Sequence, residues 1–273
     1  MIKFLRTILI LSNLYKNVNE YLKKKIPFGS KYYDLDLNKN FHIFKNQKKS
    51  YYKKTLLKLS FNELCILFQT DKATLFEAVI YDIYLKRYVR SLVNGHGYSQ
   101  YYSMIDKNKV KNLVEIGSYE GASAMVFSAY FQKAKIFCLD LTFKYNKLKY
   151  KNSIKVEIDQ LNKEDLKKFI IKNKLKNKID LISDDGAHKN EHIINSFKVL
   201  FPNLKKGGYY FIEDVSIKKT KKVYDLFKSN RYKKIADIKF FKSNLNKFTL
   251  SAQIQPYLIV IKKKDKINAT IIN

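Results

Sequence analysis

Arginine, glycine, proline and tryptophan are scarce in this chain. Only Arg6, Arg87, Arg90 and Arg231 stand among 54 basic residues, against 24 acidic ones, so the formal charge of +30 is almost wholly lysine. Phosphate and base recognition favour the planar guanidinium fork, so this charge argues only weakly for nucleic acid, and we read against that partner. Glycine (8), proline (3) and tryptophan (0) are rare while Lys, Asn, Ile, Tyr and Phe abound. The abundant set shares A/T-rich codons, and coding bias accounts for much of the charge. A basic surface still attracts anionic glycans or membranes. The two cysteines, Cys65 and Cys138, form neither a disulfide framework nor a metal cluster. Cys138 lies in an apolar run and reads as a small buried hydrophobe; a reducing cytoplasm fits. The apolar start Ile2–Leu11 is too short to span a bilayer, and no small-residue cleavage site follows it. It reads as a helix packed on the protein's own core, with peripheral membrane contact through residues 1–25 left open.

What is present is enough apolar material for a core: 46% of 273 residues. Residues 1–60 read as a basic N-terminal extension. Residues 61–110 read as a helical cap segment, because Leu75, Val79, Ile83 and Tyr84 recur near a 3.6 period. From 111 to 265, strand-like and helix-like runs alternate. Strands are expected at 113–116, 135–139, 154–158, 179–183, 209–212, 235–241 and 257–262, with helices at 122–132, 164–173, 191–200 and 221–229. This βαβα alternation predicts an α/β fold, a doubly wound, mostly parallel seven-stranded sheet. Ligands bind such sheets at the carboxyl ends of the strands, and four of these strands end in carboxylates.

Glu115-Ile116-Gly117-Ser118-Tyr119-Glu120-Gly121 follows a strand and opens a helix. Gly117 would permit a tight turn and close backbone approach to a ligand, and Gly121 close packing of the helix start. Asp140 ends the next strand, where an acidic side chain accepts hydrogen bonds from ribose hydroxyls. Dinucleotides need a fuller glycine pattern around their pyrophosphate, and only part of it is here. S-adenosyl-L-methionine carries no phosphate but a sulfonium, and Glu115 suits a cationic neighbour. The cofactor-binding set read from the sequence is therefore Glu115, Gly117, Ser118, Gly121, Asp140, Asp159 and Asp184, with Asp159 facing the adenine amino group.

Ser183-Asp184-Asp185-Gly186-Ala187-His188 ends the fourth strand of this series and Glu213-Asp214 the fifth, after a turn at Lys205–Gly208. Adjacent strands would cluster Asp185, Glu213 and Asp214. Clustered carboxylates raise one another's pKa; a divalent cation relieves this, and oxygen ligands suit Mg²⁺. His188 has the pKa range of a base for an acceptor hydroxyl, although a loop histidine beside a helix start is the bland alternative.

Glu115–Ser123, Asp184–His188 and Gly207–Asp214 together resemble the class I S-adenosylmethionine-dependent, metal-dependent sugar O-methyltransferases of the macrocin and mycinamicin type and related glycan-cluster enzymes. Thr70-Asp71-Lys72 and His96-Gly97-Tyr98 with Tyr102 are similar to elements that precede the first strand in that group. The resemblance covers about 61–262. It implies a Rossmann-like methyltransferase fold with an N-terminal helical extension. It also implies Mg²⁺ at Asp185, Glu213 and Asp214, His188 as the base, and cofactor contacts from Glu115, Gly117 and Asp140. The Asp71-Lys72 and His96/Tyr98 elements would shape the entrance. Ala187 stands where the group usually has Ser, and 216–251 matches little. The expected function is methylation of a sugar hydroxyl on a small molecule or glycan, with a role in polysaccharide biosynthesis. RNA methylation and a non-catalytic S-adenosylmethionine- or nucleotide-binding module remain as alternatives, and a homo-oligomer is left open.

Overall fold

The computed structural model describes residues 59–68, 70–82, 87–144, 152–243 and 257–265. The basic extension and its apolar start lie outside the described residues, save for the last two positions before 61. The chain divides into two compact units, Met1–Met104 and Ile105–Asn273.

In the first unit, α1 (Phe61–Leu67) opens on a capping box: the Glu63 amide donates to Ser60 Oγ at 3.2 Å and the Ser60 amide to Glu63 Oε2 at 2.6 Å. The helix expected next is instead an antiparallel pair, β1 (Leu75–Asp82) and β2 (Arg87–Asn94), in register from Leu75 with Asn94 to Asp82 with Arg87. Leu75 and Val79 fit a helical period over a short window. However, the segments are rich in Val, Ile, Tyr and Phe, types that prefer strands, and short apolar runs do not separate the two periods. A single helical turn, α2 (Ser99–Tyr102), follows.

The second unit has the expected doubly wound sheet. Its strands are β3 (Asn112–Ile116), β4 (Lys135–Asp140), β5 (Ser153–Glu157), β6 (Ile179–Asp184), β7 (Leu204–Val215), β8 (Ala236–Lys242) and β9 (Tyr257–Lys263). They lie in the order β5-β4-β3-β6-β7-β9-β8, with β5 to β7 mutually parallel and β9 antiparallel to both its neighbours. The helices are α3 (Ala122–Tyr130), α4 (Lys163–Lys172), α5 (Asn190–Leu200) and α6 (Lys221–Lys228). The Lys205–Gly208 turn is absorbed into β7: Leu204 pairs with Ile179 and Tyr209 with Leu181, so the residues between bulge out of the ladder.

Strand side chains alternate between faces. Val114, Ile116, Phe137, Leu139, Ile182, Tyr210 and Ile212 pack with α4, α5 and α6 in one buried cluster. Glu115, Cys138, Ser183 and Glu213 occupy the alternate positions, on the face carrying α3. The order of connection reverses between β3 and β6, which opens a crevice at their carboxyl ends. Among the described residues no helix is long and apolar enough to cross a membrane.

Candidate active site

The turn after β3 is built from unusual backbone. Gly117, Tyr119 and Gly121 have φ of 80°, 40° and 91°. A Cβ on Gly117 would fall 2.1 Å from the Asp185 carbonyl oxygen and 2.7 Å from Gly186 Cα. The missing side chain therefore makes room for the neighbouring loop rather than for a ligand. The Asp185 amide completes the contact by donating to the Ile116 carbonyl at 3.0 Å. Glu115 is fully buried. Its Oε2 accepts from Ser118 Oγ at 2.6 Å and its Oε1 from Ser123 Oγ at the start of α3. Asp140 accepts from the Tyr119 amide at 2.7 Å and the Leu141 amide at 2.8 Å. Five expected cofactor residues, Glu115, Gly117, Ser118, Gly121 and Asp140, thus form one framework at the crevice. Burial, and after it the Glu115 charge, raises the Cys138 thiol well above its ordinary pKa.

The pleat splits the acidic run at the end of β6. Ser183 faces the α3 side and donates to Glu213 Oε1 at 3.0 Å. Asp184 faces the α5 side, 1% exposed. It accepts from Gln160 Nε2 (2.8 Å), Ser196 Oγ (2.6 Å) and Tyr210 OH (3.0 Å). Burial raises its pKa, opposed by those three bonds and the nearby His188. Asp159 is exposed, and its Oδ1 accepts from the Leu161 amide at 2.8 Å; the residue turned inward there is Gln160. Neither Asp159 nor Asp184 joins the framework around the Gly117 turn.

Asp185 lies one residue beyond the ladder and does reach the opening. One ligand atom from each of Asp185, His188 and Asp214 lies within 4.8 Å of the others, and all three residues are half-buried. His188 Nε2 stands 3.6 Å from Asp185 Oδ1. His188 and Asp214 have φ of 48° and 54°, a left-handed conformation that Asp and His tolerate better than most residues. Such strain gathers at functional sites. At Asp214 its source is visible: the pairing of β7 with β9 shifts between Ile212 and Val215, and a bulge re-aims side chains in this way. Glu213, the third carboxylate expected at the metal, stands outside the group. It is 2% exposed and holds the Ser183 hydroxyl.

In the first unit the Asp71-Lys72 and His96/Tyr98 elements meet each other. The His96 amide donates to the Asp71 carbonyl at 2.7 Å and the Ser99 amide to the Lys72 carbonyl at 2.8 Å. His96 Nε2 lies 3.5 Å from Asp71 Oδ2 and its ring stacks on Tyr98.

Residues 114–215, which run from β3 through the bulge of β7, match the family described as Methyltransferase domain. They form a methyltransferase domain. Similar proteins include L-olivosyl-oleandolide 3-O-methyltransferase of Streptomyces antibioticus, 31% identical over 126 residues, covering 44% of this chain and 31% of that protein. Mycinamicin VI 2''-O-methyltransferase of Micromonospora griseorubida is 29% identical over 118 residues, covering 40% and 28%. The matches thus span about a third of these relatives' length. Among solved structures, MycE methyltransferase in complex with Mg and SAH shares the fold with a TM-score of 0.53 at 16% identity, covering 86% of this chain and 64% of that one.

Sequence reasoning missed Gln160, Ser183, Ser196 and Tyr210 around the methyltransferase domain's acidic residues. Ser196 had a signal: it interrupts the apolar stripe Ile193, Phe197, Leu200 of α5. Gln160 had none, since a glutamine after a strand reads as loop.

Proposed function

We propose that this chain is an S-adenosylmethionine-dependent O-methyltransferase acting on a sugar hydroxyl of a glycosylated small molecule or glycan. In this reading Asp185 and Asp214 hold a divalent cation and His188 is the base. The observation that carries it is that Asp185 and His188, on a loop packed directly against the Gly117 turn, converge with Asp214 of β7. The relatives, named as O-methyltransferases of glycosylated products, and the Mg and SAH of the MycE complex support it.

The residues fit both groups. Each Asp140 oxygen accepts one amide and a carboxylate oxygen takes two donors, so Asp140 keeps capacity for two ribose hydroxyls. Glu115 accepts one hydroxyl on each oxygen, from Ser118 and Ser123, and so also holds the turn that faces the cofactor. The Asp185 and Asp214 carboxylates, whose oxygens lie within 4.8 Å of one another, would hold a divalent cation through the hard oxygen ligands that Mg²⁺ takes. When bound, a divalent cation supplies Lewis acidity and offsets the repulsion between the carboxylates. His188 would take the proton of the acceptor hydroxyl at Nε2, and S-adenosylmethionine, when bound, would supply the methyl group and leave as a neutral thioether.

The test is methyl transfer from labelled S-adenosylmethionine to a panel of glycosylated acceptors with Mg²⁺. Asp185→Asn and His188→Ala should each lower turnover by about 10²–10⁴ while S-adenosylhomocysteine still binds. Full activity in both variants would overturn the scheme. Cofactor binding without transfer by the native chain would leave a binding module.

A further inference from the structure

We propose that Gln160 is a positioning residue: its side-chain amide fixes the loop carrying Asp185 and His188 against the methyltransferase core. This rests on the reading of Asp185 and Asp214 as cation ligands. Gln160 lies on the connection between β5 and α4, far in sequence from either acid, and is 6% exposed. Its Oε1 accepts from the Ala187 amide at 3.2 Å, inside the acidic loop. Its Nε2 donates to Asp184 Oδ1 at 2.8 Å and to Ser196 Oγ at 3.1 Å. Its main-chain carbonyl accepts from Asn195 Nδ2 at 2.7 Å. The two ends of one amide thus join an enclosed anion to a peptide N–H of the loop.

The chemistry of that link is specific to an amide. A carboxylate at 160 would face Asp184 with like charge, and an alkyl group would leave both partners short of a bond. The loop is also gripped sterically. A Cβ on Gly186 would meet Gln160 Oε1 at 2.5 Å and Ile116 Cγ2 at 3.1 Å. Residue by residue, Asp185 is held by the Ile116 carbonyl, Gly186 lies on the Gln160 amide, and Ala187 donates to it. His188 follows at once with its left-handed backbone, so the direction of its side chain is set by the peptide that Gln160 holds. Residues that orient ligands from behind commonly change metal affinity or activity by about 10–100-fold when removed.

The experiment compares Gln160→Ala with Ser196→Ala in the full chain. It reads Mn²⁺ affinity by electron paramagnetic resonance, S-adenosylhomocysteine affinity by calorimetry, and thermal stability. Ser196→Ala removes bonds to Asp184 in the same network but leaves the Gln160–Ala187 bond. It should lower the melting temperature and leave Mn²⁺ affinity within about threefold, well short of that range. Gln160→Ala should weaken Mn²⁺ binding by about 10–100-fold and leave S-adenosylhomocysteine binding unchanged. Should Gln160→Ala fail to fold, Gly186→Ala, which pushes on the same amide from the loop side, should give the same loss of Mn²⁺. Native Mn²⁺ affinity in the Gln160 or Gly186 variant, or an equal loss in Ser196→Ala, overturns the positioning role alone. A native chain that binds no Mn²⁺ overturns the cation reading and this proposal with it.

Discussion

Asp184 accepts three hydrogen bonds inside a closed layer of sheet and helix, whereas Asp185, one residue on, is 22% exposed and stands 3.6 Å from His188. The two have the same side chain and adjacent positions, and differ in which way the pleat and the end of the ladder turn them. The enclosed carboxylate serves stability, because it ties together three donors from the β5–α4 connection, α5 and β7. The open one has its amide tied to the Ile116 carbonyl and its carboxylate beside His188 at the opening. The same division runs between Glu213, buried against Ser183, and Asp214, swung outward by the bulge.

Breaking the enclosed side should have the largest effect on folding. Asp184→Ala takes one buried hydrogen bond from each of Gln160, Ser196 and Tyr210, at about 1–1.5 kcal/mol apiece. The urea midpoint should fall by an equivalent of about 3–5 kcal/mol, while Asp185→Ala leaves it nearly unchanged and removes methyl transfer. Equal destabilisation by the two would erase the distinction. Next, Gly117→Ala places a Cβ on the Asp185 carbonyl at a left-handed position, itself costing about 1–2 kcal/mol. Calorimetry should show weaker binding of both S-adenosylhomocysteine and Mn²⁺, since one contact joins the two loops. A smaller effect sharpens the second pair. Asp214→Asn should cost Mn²⁺ affinity tenfold or more, about 1.4 kcal/mol, and Glu213→Gln less than about threefold; the reverse order would return Glu213 to the metal.

The last effect concerns pH. Burial, then the Glu115 charge, keeps Cys138 protonated in the fold, while an unfolded thiol ionises near about pH 8.5. Above that pH the native state binds more protons than the unfolded one, so stability falls as pH rises, by about 1.4 kcal/mol per unit. Burial, then Asp184, raises the Tyr210 phenol and adds the same sign at higher pH. Cys138→Ala should flatten the first part of the slope in denaturant melts between pH 8 and 10. An unchanged slope would place its origin elsewhere.

Much of this was legible beforehand. The alternation of strand and helix after Asn112 carried the doubly wound sheet, because periods of 2 and 3.6 differ plainly over such runs. Glu115, Gly117, Asp140 and Asp185 could be placed at strand ends by counting. The pair β1 and β2 was misread because Leu75 and Val79 suit either period. Asp159 and Asp184 stand apart from the Gly117 turn, which the sequence does not reveal because proximity along the chain says nothing of facing.

The order of apolar and polar residues by itself determined that strands and helices alternate after Asn112 and which strand ends carry carboxylates. Tertiary structure alone decided which acids stay enclosed and which face the opening. That choice turns on a one-residue overhang at Asp185, a bulge at Asp214 and the reach of Gln160 from a distant connection. Each arises only when strands from separate parts of the chain are laid side by side.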